Sequence, residues 1–153
     1  MERDDTFEVP RFHSVYRHAL DPARRVQIPA KWRLSAPGAE FTLMLWQAEE
    51  SARLRVLPPL KMAELLTKIA AQVLDVPERE ALTRFMGMNS MHVRLDAVGR
   101  ICLPEEMAEA AGISKEALLV GLEDCFEIWS PERYEQVKKA EAGATLPDDS
   151  SEP

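Results

Sequence analysis

Apolar and polar residues alternate through two well-separated stretches of the chain. Phe12 and the run from Val15 to Leu20 open the first; Met91, Val93 and Leu95 open the second. A period of two marks a strand with one buried face. Each run meets a tight Asp-x-x-x-Arg turn, Asp21 to Arg25 and Asp96 to Arg100, and then a short returning strand, RVQIP or RICLP. The pattern predicts a β-hairpin at both places. Pro29 and Pro104 close the returning strands and suit the first position of a helix, where a missing N–H removes no bond. Helices are predicted over PAKWRL and PEEMAEAAG, the second stopped by Gly112 at C′. Two more strands follow in each half: 41–46 and 53–57, then 117–121 and 125–129. After each pair a helix begins at a proline: Pro59, and Pro131 behind Ser130 as N-cap.

The two halves are one motif written twice. HALDPARRVQIP and VRLDAVGRICLP stand in register, with Leu20/Leu95, Asp21/Asp96, Arg25/Arg100, Ile28/Leu103 and Pro29/Pro104 at equivalent positions, 75 residues apart. Each copy reads ββαββα. Between them Met62, Leu65, Leu66, Ile69 and Val73 recur at helical spacing. Val76-Pro77 ends that helix and starts another, with Leu82, Phe85 and Met86, closing at Gly87. Four short strands bury too little surface to stand alone, so the copies are expected to interleave around one shared barrel core. The predicted organisation is a first module over 11–58, connecting helices over 59–88, a second module over 89–137, and an acidic tail over 138–153. From residue 143 the tail, GATLPDDSSEP, has almost nothing to bury and is expected to be disordered.

Charge sharpens the picture. The 153-residue chain carries a net −7, which argues against indiscriminate nucleic-acid binding. Yet residues 11–33 hold six basic residues (Arg11, Arg17, Arg24, Arg25, Lys31, Arg33) against Asp21 alone, while residues 86–108 hold two against three acids. One copy of the motif is the basic one. The longest apolar stretches are strand-length, so no membrane span is expected, and the acidic N-terminus lacks the pattern of a signal peptide. Cys102 and Cys125 sit in apolar runs and read as buried, reduced thiols of a cytoplasmic protein. His13, His18 and His92 show no metal-ligand spacing with the cysteines, and no nucleophile, Walker or dinucleotide motif occurs. No enzyme activity, metal or cofactor is expected.

The stretches FHSVYRHALDPARRVQIPAKWR and VRLDAVGRICLPEEMAEAAGISKEALLVGLEDCFEIWSPERYE closely resemble the MraZ family, bacterial transcriptional regulators built from two tandem SpoVT-AbrB swapped-hairpin modules. The resemblance covers about residues 11–137. It implies a mainly β, α+β fold: two modules in a pseudo-twofold β-barrel, and chains in a closed ring, commonly of eight, with the basic turns on one rim. It also implies binding to direct DNA repeats upstream of the protein's own operon of division and cell-wall genes, with repression as the expected sign and a nucleoid-associated location. The sequence departs from the family at the first turn. The family's Asp-x-x-Gly-Arg is kept as Asp96 to Arg100 but becomes Asp21-Pro22-Ala23-Arg24-Arg25, and Ser14 stands where the family often has glycine. A reshaped first turn is therefore expected.

The predicted DNA-contacting set is Arg17, His18, Asp21, Arg24, Arg25, Lys31, Arg33, Asp96 and Arg100. Arg17, Lys31 and Arg33 suit phosphates, which give affinity and register without sequence information. Arg24 or Arg25, at the turn, suits the major groove, which admits a two-stranded ribbon. Asp21 and Asp96 can close their turns and orient the arginine four residues on. The plainer alternative makes each Asp–Arg pair a turn-stabilising device, and it weighs more on Asp96–Arg100, which lacks basic neighbours. His18 is equally a packed strand residue. Trp32, Trp46, Phe126, Trp129 and Tyr134 read as core or subunit-contact residues. Two rival readings remain: a ring-shaped protein-interaction scaffold that has lost DNA binding, and a toxin-binding antitoxin, disfavoured because the C-terminal segment belongs to the second copy.

Overall fold

A computed structural model describes residues 11–33, 40–48, 51–72 and 75–147. The elements are β1 (Val15–Ala19), β2 (Arg25–Gln27), β3 (Glu40–Ala48), β4 (Ser51–Leu57), α1 (Pro59–Ala71), α2 (Val76–Met88), β5 (Ser90–Arg94), β6 (Arg100–Cys102), α3 (Glu105–Ala110), β7 (Glu116–Gly121), β8 (Phe126–Trp129) and α4 (Pro131–Ala140). Six strands form one antiparallel sheet in the order β1-β7-β8-β4-β3-β5. The other two, β2 and β6, pair with each other and, among the described residues, with no other strand. The class is α+β, as the resemblance implied.

The order of the sheet carries the duplication. Exchanging the copies turns β1 into β5, β7 into β3 and β8 into β4, and leaves the order unchanged. In the small ribbon Val26 lies opposite Ile101, and these are themselves equivalent positions of the repeat. A local twofold therefore passes between them. Four of the six strand pairings join one copy to the other (β1–β7, β2–β6, β3–β5, β4–β8).

Those pairings correct two expectations. β1 and β2 are joined by the Asp21 turn but do not form a hairpin ladder, and neither do β5 and β6. Periodicity fixes which residues face inward, but not which strand lies alongside. The structure is also not a closed barrel. Among the described residues β1 and β5 are the edges of an open sheet, and three-residue strands are too short to bridge them. The ribbon instead lies over one face of the sheet. Val26, Ile28, Ile101 and Leu103 meet Leu43, Leu54, Val56, Leu119, Phe126 and Ile128 in one core.

The opposite face of the sheet is covered by helices. Met44 and Leu57 pack with Met62 and Leu65 of α1 and Met86 of α2; Leu118, Val120 and Trp129 pack with Tyr134 and Val137 of α4. Burial on both faces explains why β3 and β7 read as nearly continuous apolar runs. Between the two helical covers, Arg53 and Arg55 of β4 hold the buried Glu127 of β8, at 3.3 and 2.7 Å.

Several local signals act as the sequence suggested. Ser130 Oγ accepts the Arg133 N–H at the start of α4, and Pro59 is the first residue of α1. Gly112 (φ +73°) ends α3, with its own N–H given to the Glu109 carbonyl and that of Ile113 to the Ala108 carbonyl. Other expectations are corrected. Of PAKWRL, whose Leu34 lies outside the described residues, Ala30–Trp32 forms a 3-10 turn and Arg33 is already extended, because Trp32 is drawn into an aromatic cluster with Phe12, Tyr16 and Phe126 and its indole N–H is taken by the His13 carbonyl. Pro29 and Pro104 are the caps before their turns rather than first helical residues. α2 runs one residue past Gly87. Cys102 is exposed on β6, and only Cys125 is buried. α4 continues to Ala140, beyond the boundary drawn at 137, closed by Lys138 and Lys139 at its negative end. The predicted tail beyond residue 147 lies outside the described residues. Among the described residues no helix is long and apolar enough to cross a membrane.

Candidate nucleic-acid interface

The inward face of the ribbon is apolar, so alternation puts Arg25, Gln27, Arg100 and Cys102 together on its outward face. Arg25 is opposite Cys102 and Gln27 is opposite Arg100. The two arginines thus sit diagonally across the local twofold, each beside its own turn.

Both turns are built by the same contacts. Asp21 Oδ1 accepts the N–H of Ala23 (2.9 Å) and of Arg25 (2.8 Å), and its Oδ2 accepts Arg25 Nε (2.6 Å). Asp96 Oδ1 accepts the N–H of Val98 (3.0 Å) and of Arg100 (2.8 Å), and its Oδ2 accepts Arg100 Nε (2.9 Å). Main-chain bonds repeat as well: Asp21 N–H to the Arg25 carbonyl and Arg24 N–H to the Asp21 carbonyl, matched by Asp96 N–H to Arg100 and Gly99 N–H to Asp96. The first turn is therefore not reshaped. Arg24 takes the left-handed conformation (φ +63°) that Gly99 takes in the second turn (φ +87°), at about 1 kcal/mol for a residue with a Cβ. Ser14 is likewise left-handed, at φ +82°.

Each aspartate is held below its ordinary pKa, first by the backbone N–H of the arginine four residues on, against the opposing effect of desolvation, and then by that arginine's side chain. The carboxylates stay ionised and keep the guanidiniums oriented through Nε. The Nη nitrogens of Arg25 meet no acceptor among the described residues, and its side chain is 43% exposed. Arg100 also approaches Asp21, with Nη1 at 3.6 Å from Oδ2. Arg100, expected to be mainly architectural, has the same setting as Arg25 and shares its face.

The remaining predicted residues divide. Arg24 Nε donates to the Leu103 carbonyl (2.9 Å), and Arg33 Nε to the Ile28 carbonyl (3.0 Å). Lys31 is exposed on the 3-10 turn beside Arg33. Arg17 and His18 are not part of the ribbon. They lie on β1, where Arg17 pairs with Glu116 (2.8 Å) and His18 stacks on Tyr16. Gln27 was missed by the sequence reading. Only the β2–β6 register reveals it, and its amide already donates to the Val98 carbonyl (2.8 Å). Among the described residues no group of three His, Cys, Asp or Glu side chains is arranged to hold a metal.

The ribbon can offer two oriented guanidiniums and an amide on one face of a two-stranded surface, and the major groove of B-DNA admits a two-stranded ribbon. Comparison with known proteins bears on the same region. The family model described as "MraZ protein, putative antitoxin-like" matches residues 86–150. A protein of Hyphomonas neptunium named transcriptional regulator MraZ is 34% identical over 124 residues, 80% of this chain and 74% of that protein. Others of the same name, from Leuconostoc mesenteroides and Burkholderia cenocepacia, are 31% and 30% identical and align with 80% and 90% of this chain, covering 83% and 94% of their own lengths. Similarity of that depth, running through both copies of the repeat, makes this chain a member of the MraZ family.

Proposed function

We propose that this chain is a sequence-specific DNA-binding transcriptional regulator that inserts the β2–β6 ribbon into the major groove. The observation that carries the reading is the pair of identical Asp–Arg turns flanking one outward face, which presents Arg25 and Arg100 in fixed orientation. Each arginine suits the N7 and O6 acceptors of a guanine, and Gln27, through its amide oxygen, suits an exocyclic amine such as that of adenine. Asp21 and Asp96 act by orienting those arginines. Lys31 and Arg17 suit phosphates.

One ribbon makes too few contacts for tight binding at physiological salt. We therefore take the working form to be a ring of tandem SpoVT-AbrB modules, with eight subunits as the family expectation, docking on direct repeats about one helical turn apart. Direct rather than inverted repeats follow from the head-to-tail interface of a ring. The regulated target in this reading is the protein's own operon of division and cell-wall genes, and the sign is repression. A non-enzymatic role without cofactor, in the cytoplasm and on the nucleoid, goes with it.

The test is binding to a duplex carrying the DNA upstream of its own gene, at two salt concentrations, beside Arg25→Ala and Arg100→Ala. Steep weakening with salt and loss of affinity in both variants supports the reading. A second reading, the scaffold, draws on Leu60 and Leu66 of α1 and Val76, Phe85 and Met88 of α2, which are apolar and exposed. It gains if wild type gives no specific, salt-sensitive binding even at low salt.

A further inference from the structure

Arg24 breaks the family's glycine pattern, and its side chain shows why the break is tolerated. Arg24 and Leu103 exchange two hydrogen bonds: the Leu103 N–H donates to the Arg24 carbonyl (2.9 Å) and Arg24 Nε donates to the Leu103 carbonyl (2.9 Å). At the second turn the Ile28 N–H donates in the same way to the Gly99 carbonyl (2.9 Å), but the Ile28 carbonyl is served by Arg33, from Nε at 3.0 Å. The Arg33 guanidinium lies directly over Gly99. A Cβ on Gly99 would stand 2.3 Å from Arg33 Cζ and 2.4 Å from its Nε.

The repeat turns these contacts into an equivalence. Its 75-residue offset sets Arg24 against Gly99, Leu103 against Ile28, and Arg33 against Ala108. Where the turn carries arginine, the equivalent position in the other copy is a buried alanine; where the turn carries glycine, that position is arginine. Both arrangements bring one guanidinium to the carbonyl of a fully buried residue that directly precedes a proline. That carbonyl lies past the end of the β2–β6 ladder and needs a donor.

We propose that Arg24 and Arg33 are equivalent latches, one for each turn, and that they support DNA recognition by positioning Arg25 and Arg100 instead of touching DNA. This rests on the functional reading above and deepens it. Each latch clamps the left-handed residue of its turn, and the next residue in each case is the reading arginine, whose N–H and Nε are both bound to the turn aspartate. Lysine cannot replace the latch, because the planar guanidinium aims Nε at the carbonyl and an ammonium has no such fixed fork. Arg33 thereby leaves the phosphate-contacting set, and Arg24 leaves the candidates for the major groove.

The experiment moves the latch of the first turn into the second. Arg33→Ala, Arg33→Lys, Gly99→Arg and the double variant Arg33→Ala/Gly99→Arg are compared with wild type, using the upstream duplex in a salt series. Exchange of the Ile28 amide reports the turn directly. Arg33→Ala and Arg33→Lys are expected to lose affinity alike, about tenfold, the scale of one lost hydrogen bond, with an unchanged slope of log affinity against log salt. Gly99→Arg alone fails, because two guanidiniums compete for one site. The double variant regains most of the affinity and the slow exchange. Wild-type affinity in Arg33→Lys, or a salt slope reduced by about one in Arg33→Ala, makes Arg33 a phosphate contact and overturns the proposal; so does a double variant no better than its parents. If the double variant does not fold, Arg24→Lys decides: it keeps the charge, and loss of affinity at constant slope is the outcome required. If wild type itself binds no DNA, the functional reading falls with the recognition role, and amide exchange alone then decides whether the latches are equivalent.

Discussion

The two Asp-x-x-x-Arg turns make the same hydrogen bonds with different residues. The second follows the rule that a left-handed position takes glycine; the first breaks it with Arg24 and reaches the same backbone. What separates them is where the space-filling guanidinium originates. In the first turn it belongs to the left-handed residue itself, and in the second it arrives from Arg33 of the other copy. A glycine in a turn is thus demanded here by a neighbour's volume as well as by φ.

The sharpest way to break the comparison is to give both left-handed positions small changes of opposite kind. Gly99→Ala adds a Cβ at φ +87° against a guanidinium 2.3 Å away, and a loss of about 3 kcal/mol in chemical denaturation is expected. Arg24→Gly relieves strain but drops one hydrogen bond, so its stability stays within about 1 kcal/mol of wild type. A loss of only about 1 kcal/mol in Gly99→Ala, matched by a gain of about the same size in Arg24→Gly, would show that conformation alone governs the turns. On DNA the comparison should hold rather than break. Arg25→Ala and Arg100→Ala are each expected to weaken binding about ten- to hundredfold, the value of a bidentate base contact. A silent Arg100→Ala would restore the asymmetry that composition suggested.

Acid offers a gentler probe. Asp21 and Asp96 have folded-state pKa values depressed from the ordinary 3.8. Their contribution to stability is therefore complete above that value and is lost as pH falls through the lower, folded values. The melting temperature should be insensitive to these groups from about pH 5 upward and fall in more acidic solution, and Asp21→Asn with Asp96→Asn should flatten that limb. The smallest effect concerns the thiols. Cys102 is exposed on the ribbon, while burial pushes the Cys125 thiol up to about 11. Alkylation near about pH 8, followed by mass spectrometry, should mark Cys102 first, with little change in melting temperature.

Much of this was legible in the sequence because it is local. The Asp–Arg turns, the proline-led helices and the Gly112 stop each depend on residues within a few positions of one another, and the repeat is read by setting one such local pattern against the other. The partners were not. Val15 of β1 lies opposite Val120 of β7, and Arg25 of β2 lies opposite Cys102 of β6. Each partner belongs to the other copy, and no period encodes that choice. Trp32 ended its helix early by filling the space beside Phe12, Tyr16 and Phe126, which only the assembled core defines. Cys102 looked buried because its neighbours are apolar, yet its side of the ribbon faces outward. In the candidate site, charge found Arg25 and the turn pattern found Asp21, whereas Gln27 and the reach of Arg33 over Gly99 needed the cross-copy register.

The interleaving of the copies sets a condition on biosynthesis. Among the described residues β1 pairs only with β7 and β2 only with β6, so the first half emerging from the ribosome has no complete sheet to join. At roughly 5–20 residues per second, β1 waits several seconds or longer before Glu116–Gly121 is made. During that interval Phe12, Val26, Ile28 and Trp32, all buried in the finished fold, lack Ile101, Leu119 and Phe126 of the other half, which share their core. A nascent chain stalled before β7 should be a client for chaperones and proteases, and release of the same chain after α4 should end that exposure at once.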